Sequence, residues 1–260
     1  MTIARNKDGA GQANSGNHTT CAREAHGPRG LRQLALGLGL NSVRRFSNFV
    51  ASGNESVISA LQALLRGQSS GHIYLRGGSG TGKTHLLQAC CAFAADGGAR
   101  VAYLPLTDLS TLDEALLRNL DQARVVCIDD VDRIADDARW QRAVFSLYNE
   151  VDQAGVPMVF SGRSGPSSTK LADLQSRFSA ALRLELCAPN DAHRAAVLGQ
   201  RAHDLGFSLG ADVLAYVLTR QSRDLGDLVA LVEALDRYAL SAKRRVTVAL
   251  VREYFSSCEC

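Results

Sequence analysis

Gly77-Gly78-Ser79-Gly80-Thr81-Gly82-Lys83-Thr84 fits the pattern G-x-x-x-x-G-K-[ST] at every defined position. Glycines at this spacing let the backbone curl with its N–H groups turned inward, a geometry suited to phosphate. A helix following the loop would add its positive end. Lys83 would neutralise the β- and γ-phosphates and the Thr84 hydroxyl would reach Mg2+. The competing reading is a Gly-rich turn that binds nothing. The flanks decide between them: a short apolar strand, His72–Leu75, precedes the loop, and a helical pattern, Lys83–Ala95, follows it.

Outward from the loop, strands and helices alternate. Ser56–Leu65 carries a helical stripe of Val57, Ile58, Leu61, Leu64 and Leu65. Strands are expected at Val101–Leu104, Val125–Ile128, Val156–Phe160 and Leu182–Leu186, with helices at Leu112–Leu120 and Trp140–Gln153. This order predicts a parallel sheet covered on both faces. Beyond Pro189 the pattern is only helical. Asn190 or Asp191 caps a helix that Gly206 ends, and Ala211–Thr219, Asp224–Ala242 and Val248–Phe255 follow. The expected fold class is therefore α/β, a P-loop parallel-sheet domain over residues 46–188 followed by a small all-helical domain over 189–260.

The third expected strand ends in Asp129-Asp130. Parallel sheets collect ligands at the carboxyl ends of their strands, so these acids should face the phosphate loop. Asp129 would then hold the metal shell, and Asp130 would orient or activate the attacking water. The plainer alternative is a strand end carrying ordinary solvated acids.

Bulk properties set the limits. Of 260 residues, 46% are hydrophobic and 21% charged, an ordinary globular balance. A net charge of +3 is too small to argue for a DNA-coating surface. Lys243-Arg244-Arg245 reads as a solvated turn offering modest phosphate attraction, so contact with DNA is expected to be indirect. No apolar run approaches the roughly 18 residues of a membrane-spanning helix, and no secretory signal pattern opens the chain. Cys90, Cys91 and Cys127 fall in apolar segments that suit buried thiols, and no Cys/His spacing matches a zinc site. A reducing compartment, the cytoplasm, is expected. Residues 1–30 lack any apolar period and read as a disordered tail, or as an over-long gene start.

Several segments together resemble the DnaA-related AAA+ family. They are Phe46-Ser-Asn-Phe-Val50 with Asn54, His72-Ile-Tyr-Leu75, Gly82-Lys-Thr-His-Leu-Leu-Gln-Ala89 and Val125-Val-Cys-Ile-Asp-Asp130. The likeness runs over about residues 32–255 and is strongest to the short Hda branch, the regulatory inactivators of DnaA. The chain closes at Cys260, just past the last expected lid helix, where DnaA carries a helix-turn-helix domain. Within 31–45, Gln33-Leu34-Ala35-Leu36-Gly37-Leu38 is similar to the peptide by which Hda engages the DNA polymerase sliding clamp. An extended strip would present Leu34, Leu36 and Leu38 to an apolar pocket while Gln33 fixes the register. A core segment of the globular domain is the alternative.

The resemblance implies roles for two arginines. Arg177, in Leu174-Gln-Ser-Arg-Phe178, lies in the box that holds an arginine finger, which in Hda acts on ATP bound to DnaA. The plain alternative is a surface pair with Asp173. Arg223, in Ser222-Arg-Asp-Leu225, matches the sensor arginine that reaches from the lid to the nucleotide. One departure stands out: Ser161-Gly162-Arg163-Ser164 lacks the acid usual after the fourth strand, so weak intrinsic hydrolysis is expected.

The resemblance thus implies an adaptor holding ADP or ATP with Mg2+, docked on the clamp, that promotes hydrolysis of initiator-bound ATP and prevents re-initiation. A self-acting AAA+ ATPase such as a helicase loader is the main alternative. A small-molecule kinase is the weaker one, because no acceptor-binding segment is evident.

Overall fold

The structure is a computed structural model that describes residues 44–258 except 97, 108, 110–112, 166–168 and 222–223. Five parallel strands form one sheet among the described residues: β1 (Ile73–Arg76), β2 (Val101–Pro105), β3 (Val125–Asp129), β4 (Met158–Gly162) and β5 (Leu182–Glu185). Their order across the sheet is β2-β3-β4-β1-β5. The strand that enters the phosphate loop is thus separated from the acid-bearing strand by β4.

Alternation along the strands divides the core between two faces. Tyr74, Val126, Ile128, Met158 and Phe160 turn to one side, where they pack with α3 (Ala138–Gln153) and α4 (Ala172–Ala180). Ile73, Leu75, Val125, Cys127 and Val159 turn to the other, against α1 (Glu55–Leu65) and α2 (Lys83–Ala95). Both faces being covered explains why β3 and β4 are buried along their whole length. A separate core, built on Leu198, Val213, Leu228, Val232, Leu235 and Leu250, holds α5 (Asp191–Asp204), α6 (Ala211–Arg220), α7 (Leu225–Ala242) and α8 (Val248–Cys258) together.

Local chemistry sets the helix ends. Asp137 caps α3 by accepting from the N–H groups of Arg139 and Trp140, and Asn190 caps α5 by accepting from His193 N. Gly206, at φ +89, takes the left-handed turn that ends α5. Lys243 does the same after α7, and the basic run Lys243–Arg245 is exposed, with Arg244 paired to Glu253 at 2.8 Å. No helix among the described residues is long and apolar enough to cross a membrane. Cys90 and Cys127 are buried free thiols, while Cys91 is partly buried.

Two expectations need correction, and one helix had not been expected. The segment expected as a helix over Leu112–Leu120 holds, among its described residues, only a 3-10 turn at Glu114–Leu117. Asn119 takes φ +59 directly afterwards, which a right-handed helix cannot continue through. β4 begins two residues later than expected and runs to Gly162, because its pairing follows β1 out to Arg76. Leu174 and Phe178, one helical turn apart and both buried, anchor a helix, α4, that the sequence reading had not separated as an element.

Gln141 binds this arrangement together. Only 2% exposed, it donates from Nε2 to Ile134 O at 2.8 Å and Ala135 O at 2.7 Å, while its Oε1 accepts Leu171 N at 2.8 Å. One side chain thereby fastens the turn after β3 to the start of α4. Gln141→Leu removes the side-chain partners of Ala135 O and Leu171 N and leaves Ile134 O only its bond from Asp137 N, so we expect a loss of about 2–4 kcal/mol. Thermal unfolding should then fall by roughly 5–15 °C, read by differential scanning calorimetry.

Candidate functional site

The loop after β1 closes on itself through Thr81, whose hydroxyl donates to Gly78 O at 3.0 Å. Lys83, 7% exposed, places its ammonium between the carbonyl oxygens of Gly77 at 2.8 Å and Gly78 at 2.7 Å. Gly82 stands at φ +91, and a Cβ there would lie 2.6 Å from the Phe49 ring. Glycine is required on both counts, conformation and space. Phe49 in turn meets His85 edge-on at 5.3 Å, so the segment preceding α1 is packed against the loop helix. Asn54 ties that segment to the end of β5, with its Oδ1 accepting Cys187 N at 2.9 Å.

The acids reach the loop across β4. Burial lowers the Lys83 ammonium below the usual lysine range, opposed by the charges of Asp130, Asp129 and Asp132. Asp129 is 2% exposed, and both of its oxygens accept hydrogen bonds: Oδ2 from Tyr103 at 2.7 Å, Oδ1 from Ser161. The same Ser161 hydroxyl accepts Asp130 N at 3.0 Å. Asp130 sits at φ +60, a left-handed position uncommon among non-glycine residues and best tolerated by Asn and Asp. Burial raises its carboxyl pKa, reinforced by Asp129 and opposed by Lys83. The carboxylate of Asp129 and the hydroxyl of the half-buried Thr84 are oxygen donors of the hard kind that Mg2+ takes.

The turn that lacks its own acid borrows one. Asp132, in the 3-10 turn Val131–Ile134, accepts the backbone N–H groups of both Arg163 and Ser164. A carboxylate thus stands at the end of β4, supplied by the neighbouring strand's turn. Sequence reading missed it because the acid and the turn it binds lie on two segments, 31 and 32 positions apart. The third acid in Asp129-Asp130-Val131-Asp132 was the available signal.

The lid meets the loop at the start of α7. Asp224 accepts Gly226 N at 2.8 Å as the helix cap and also accepts the Ser79 hydroxyl at 2.5 Å. The Ser79 hydrogen bond is the main cause of the lowered pKa of Asp224. Gly80 lies so close that a Cβ would be 3.0 Å from Leu225 Cβ. Arg223 is adjacent in sequence to Asp224 but lies outside the described residues, as do Gln33, Leu34, Leu36 and Leu38.

Arg177 lies apart from all of this. It is exposed on α4, where its guanidinium stands 5.5 Å from the centre of the Tyr148 ring. Tyr148 meets His72 edge-on at 4.7 Å, and His72 precedes β1. The loop follows the other end of that strand. Arg177 and the phosphate loop therefore flank opposite ends of the sheet, with β1, about 13 Å of extended chain, between them. Among the described residues Arg177 makes no ion pair with Asp173; the aromatic contact takes its place.

Comparison with known proteins fits this arrangement. The family model described as the bacterial DnaA ATPase domain matches residues 40–187, and the one described as the Hda lid domain matches residues 191–255. Domain III of the replication initiation protein DnaA from Thermotoga maritima superposes with a TM-score of 0.70 at 24% identity, over 81% of this chain and 95% of that one. AMPPCP-bound DnaA from Aquifex aeolicus gives 0.59 at 22% identity, over 73% of this chain and 64% of that one. The RuvB Holliday junction branch migration motor of Thermotoga maritima gives 0.61 at 16% identity, over 82% and 72%. At these identities the solved structures speak for the fold, an α/β AAA+ domain with a helical lid. The DnaA ATPase-domain match takes in more than half of the chain and the Hda lid match continues from it, so the chain belongs to the DnaA-related AAA+ family and is Hda-like within it.

Proposed function

We propose that this protein holds ADP or ATP with Mg2+ in its own loop and uses Arg177 to promote hydrolysis of ATP bound to a DnaA-type replication initiator. The observation that carries this reading is the separation of Arg177 from the chain's own phosphate loop by the full length of β1. An arginine so placed serves a nucleotide on another molecule. Its guanidinium is exposed and rests on a ring, free of a competing carboxylate among the described residues. An arginine supplied in trans accelerates nucleotide hydrolysis by about 10³–10⁵-fold.

In this reading the backbone N–H groups of residues 77–84 cradle the phosphates and Lys83 neutralises them. Thr84 and Asp129 hold the metal, which offsets phosphate charge when bound, and Arg223 reaches in from the lid. The AMPPCP bound by the Aquifex aeolicus relative is consistent with an adenine nucleotide in this loop. Residues 46–188 act as the nucleotide domain and 189–260 as the lid. Gln33, Leu34, Leu36 and Leu38 dock the protein on the sliding clamp, so that it works in the cytoplasm on clamps loaded on DNA and lowers the pool of ATP-bound initiator. Re-initiation of replication is thereby prevented.

A self-acting ATPase is the second reading, and Asp130 favours it. Its raised pKa and its position across from Lys83 suit a group that takes a proton from water.

Three outcomes distinguish the readings. Arg177→Ala should lower stimulated hydrolysis of initiator-bound ATP by at least about 10³-fold while nucleotide affinity, measured by isothermal titration calorimetry, stays as in the parent. Surface plasmon resonance on immobilised sliding clamp should show binding that Gln33→Ala/Leu34→Ala abolishes; a folded, ADP-loaded parent that does not bind defeats the clamp reading. Asp130→Asn should leave stimulation of the initiator's ATP intact. A loss of about 10²-fold or more in the protein's own phosphate release would instead support the self-acting ATPase.

A further inference from the structure

The carboxylate of Asp129 is almost wholly removed from water, and two hydroxyl donors fix its plane: Ser161 on Oδ1 and Tyr103 on Oδ2. Ser161 comes from the adjacent strand β4. Tyr103 comes from β2, the edge strand on the other side, where Pro105 is the residue in register with Asp129. Reaching back two positions, the Tyr103 ring packs among the residues facing α2 and its hydroxyl closes on Asp129 at 2.7 Å. A phenylalanine would fill the same apolar space, so packing alone does not call for the hydroxyl.

Tyr103 is itself held. Gln88 on α2 opposes the rise in the pKa of that hydroxyl, and Gln88 Oε1 accepts Arg44 Nη1 at 3.1 Å. With Oε1 taken by Arg44, the amide NH2 of Gln88 is the end that serves Tyr103. Burial and the nearby Asp129 push the Tyr103 phenol far above its ordinary value, so it remains a donor at any working pH. Each Asp129 oxygen keeps a second lone pair for a cation or its water.

We propose that Tyr103 is a positioning residue for Asp129, orienting that carboxylate toward the Mg2+ of the bound nucleotide, with Gln88 and Arg44 holding Tyr103 in place. The inference rests on the nucleotide and metal reading above. Partners that orient a metal-facing ligand are worth about 10–100-fold in metal affinity.

The test is Tyr103→Phe in the full chain, read by ADP affinity in EDTA and across a MgCl2 titration, with the melting temperature of each protein alongside. In the variant, the Mg2+ concentration giving half of the affinity gain should rise about 10–100-fold, while affinity in EDTA and the melting temperature stay at parental values. Gln88→Leu should shift the same midpoint in the same direction by less. An unchanged midpoint overturns the proposal, and so does an equal loss of affinity with and without Mg2+, which marks general loosening of the sheet. A parent that binds ADP with no gain from Mg2+ removes the metal from Asp129 and overturns it too. A parent that binds no nucleotide at all brings down the underlying reading, visibly and before any variant is compared.

Discussion

One hydroxyl, that of Ser161, sits where the sheet and the chemistry meet. It donates to Asp129 and accepts the backbone N–H of Asp130, binding the acidic turn to the strand beside the phosphate loop. The strand order makes this bridge necessary. With β4 between β1 and β3, the acids cannot neighbour the loop directly, and their distance from Lys83 is set by whatever β4 places between them. A small side chain that both donates and accepts fills that space, stays fully buried and leaves no polar group unmet. Asp130 can then occupy its left-handed conformation because its N–H has a fixed partner.

Much of this was legible in the sequence because it follows from local rules. The loop Gly77–Thr84, the strand and helix beside it, the Asn190 cap and the Gly206 stop each depend on a few adjacent residues. The two acids at the end of β3 followed from strand polarity. What escaped depends on pairing across the sheet. Nothing local to Tyr103 says that it reaches Asp129, 26 positions away. Asp132 completing the turn at Arg163 and Ser164 is equally invisible until β3 and β4 are neighbours. The short 3-10 turn at Glu114–Leu117 was misread for a related reason: an apolar period implies burial, while a left-handed Asn119 limits how far a helix can run.

The aromatic cluster on the other side of the sheet performs a comparable task. Tyr148 stacks near-parallel on Phe160 at 6.1 Å, and Phe160 lies 4.8 Å from Phe178 on α4. Phe178 is the next residue after Arg177, so the backbone that carries the arginine is anchored in the core on one side and its guanidinium rests on Tyr148 on the other. His72 completes the cluster, bridging Asp152 at 3.0 Å and Met158 N at 3.1 Å, with burial the main cause of its lowered pKa. An exposed charge is thus carried on an ordered base of rings, which limits the rotamer freedom it would lose on meeting a phosphate.

The placement of Arg177 and the phosphate loop at opposite ends of β1 also bears on symmetry. In a head-to-tail arrangement, a contact that brings the arginine of one molecule to the nucleotide of the next joins two different surfaces, so it is heterologous and has a polarity. Two-fold pairing satisfies it only if the two copies lie antiparallel, with both arginines used at once. Any array built on it either closes into a ring or has two unlike ends, one offering an arginine and the other a nucleotide pocket. A molecule at the end with the open nucleotide pocket acts on its neighbour without being acted upon.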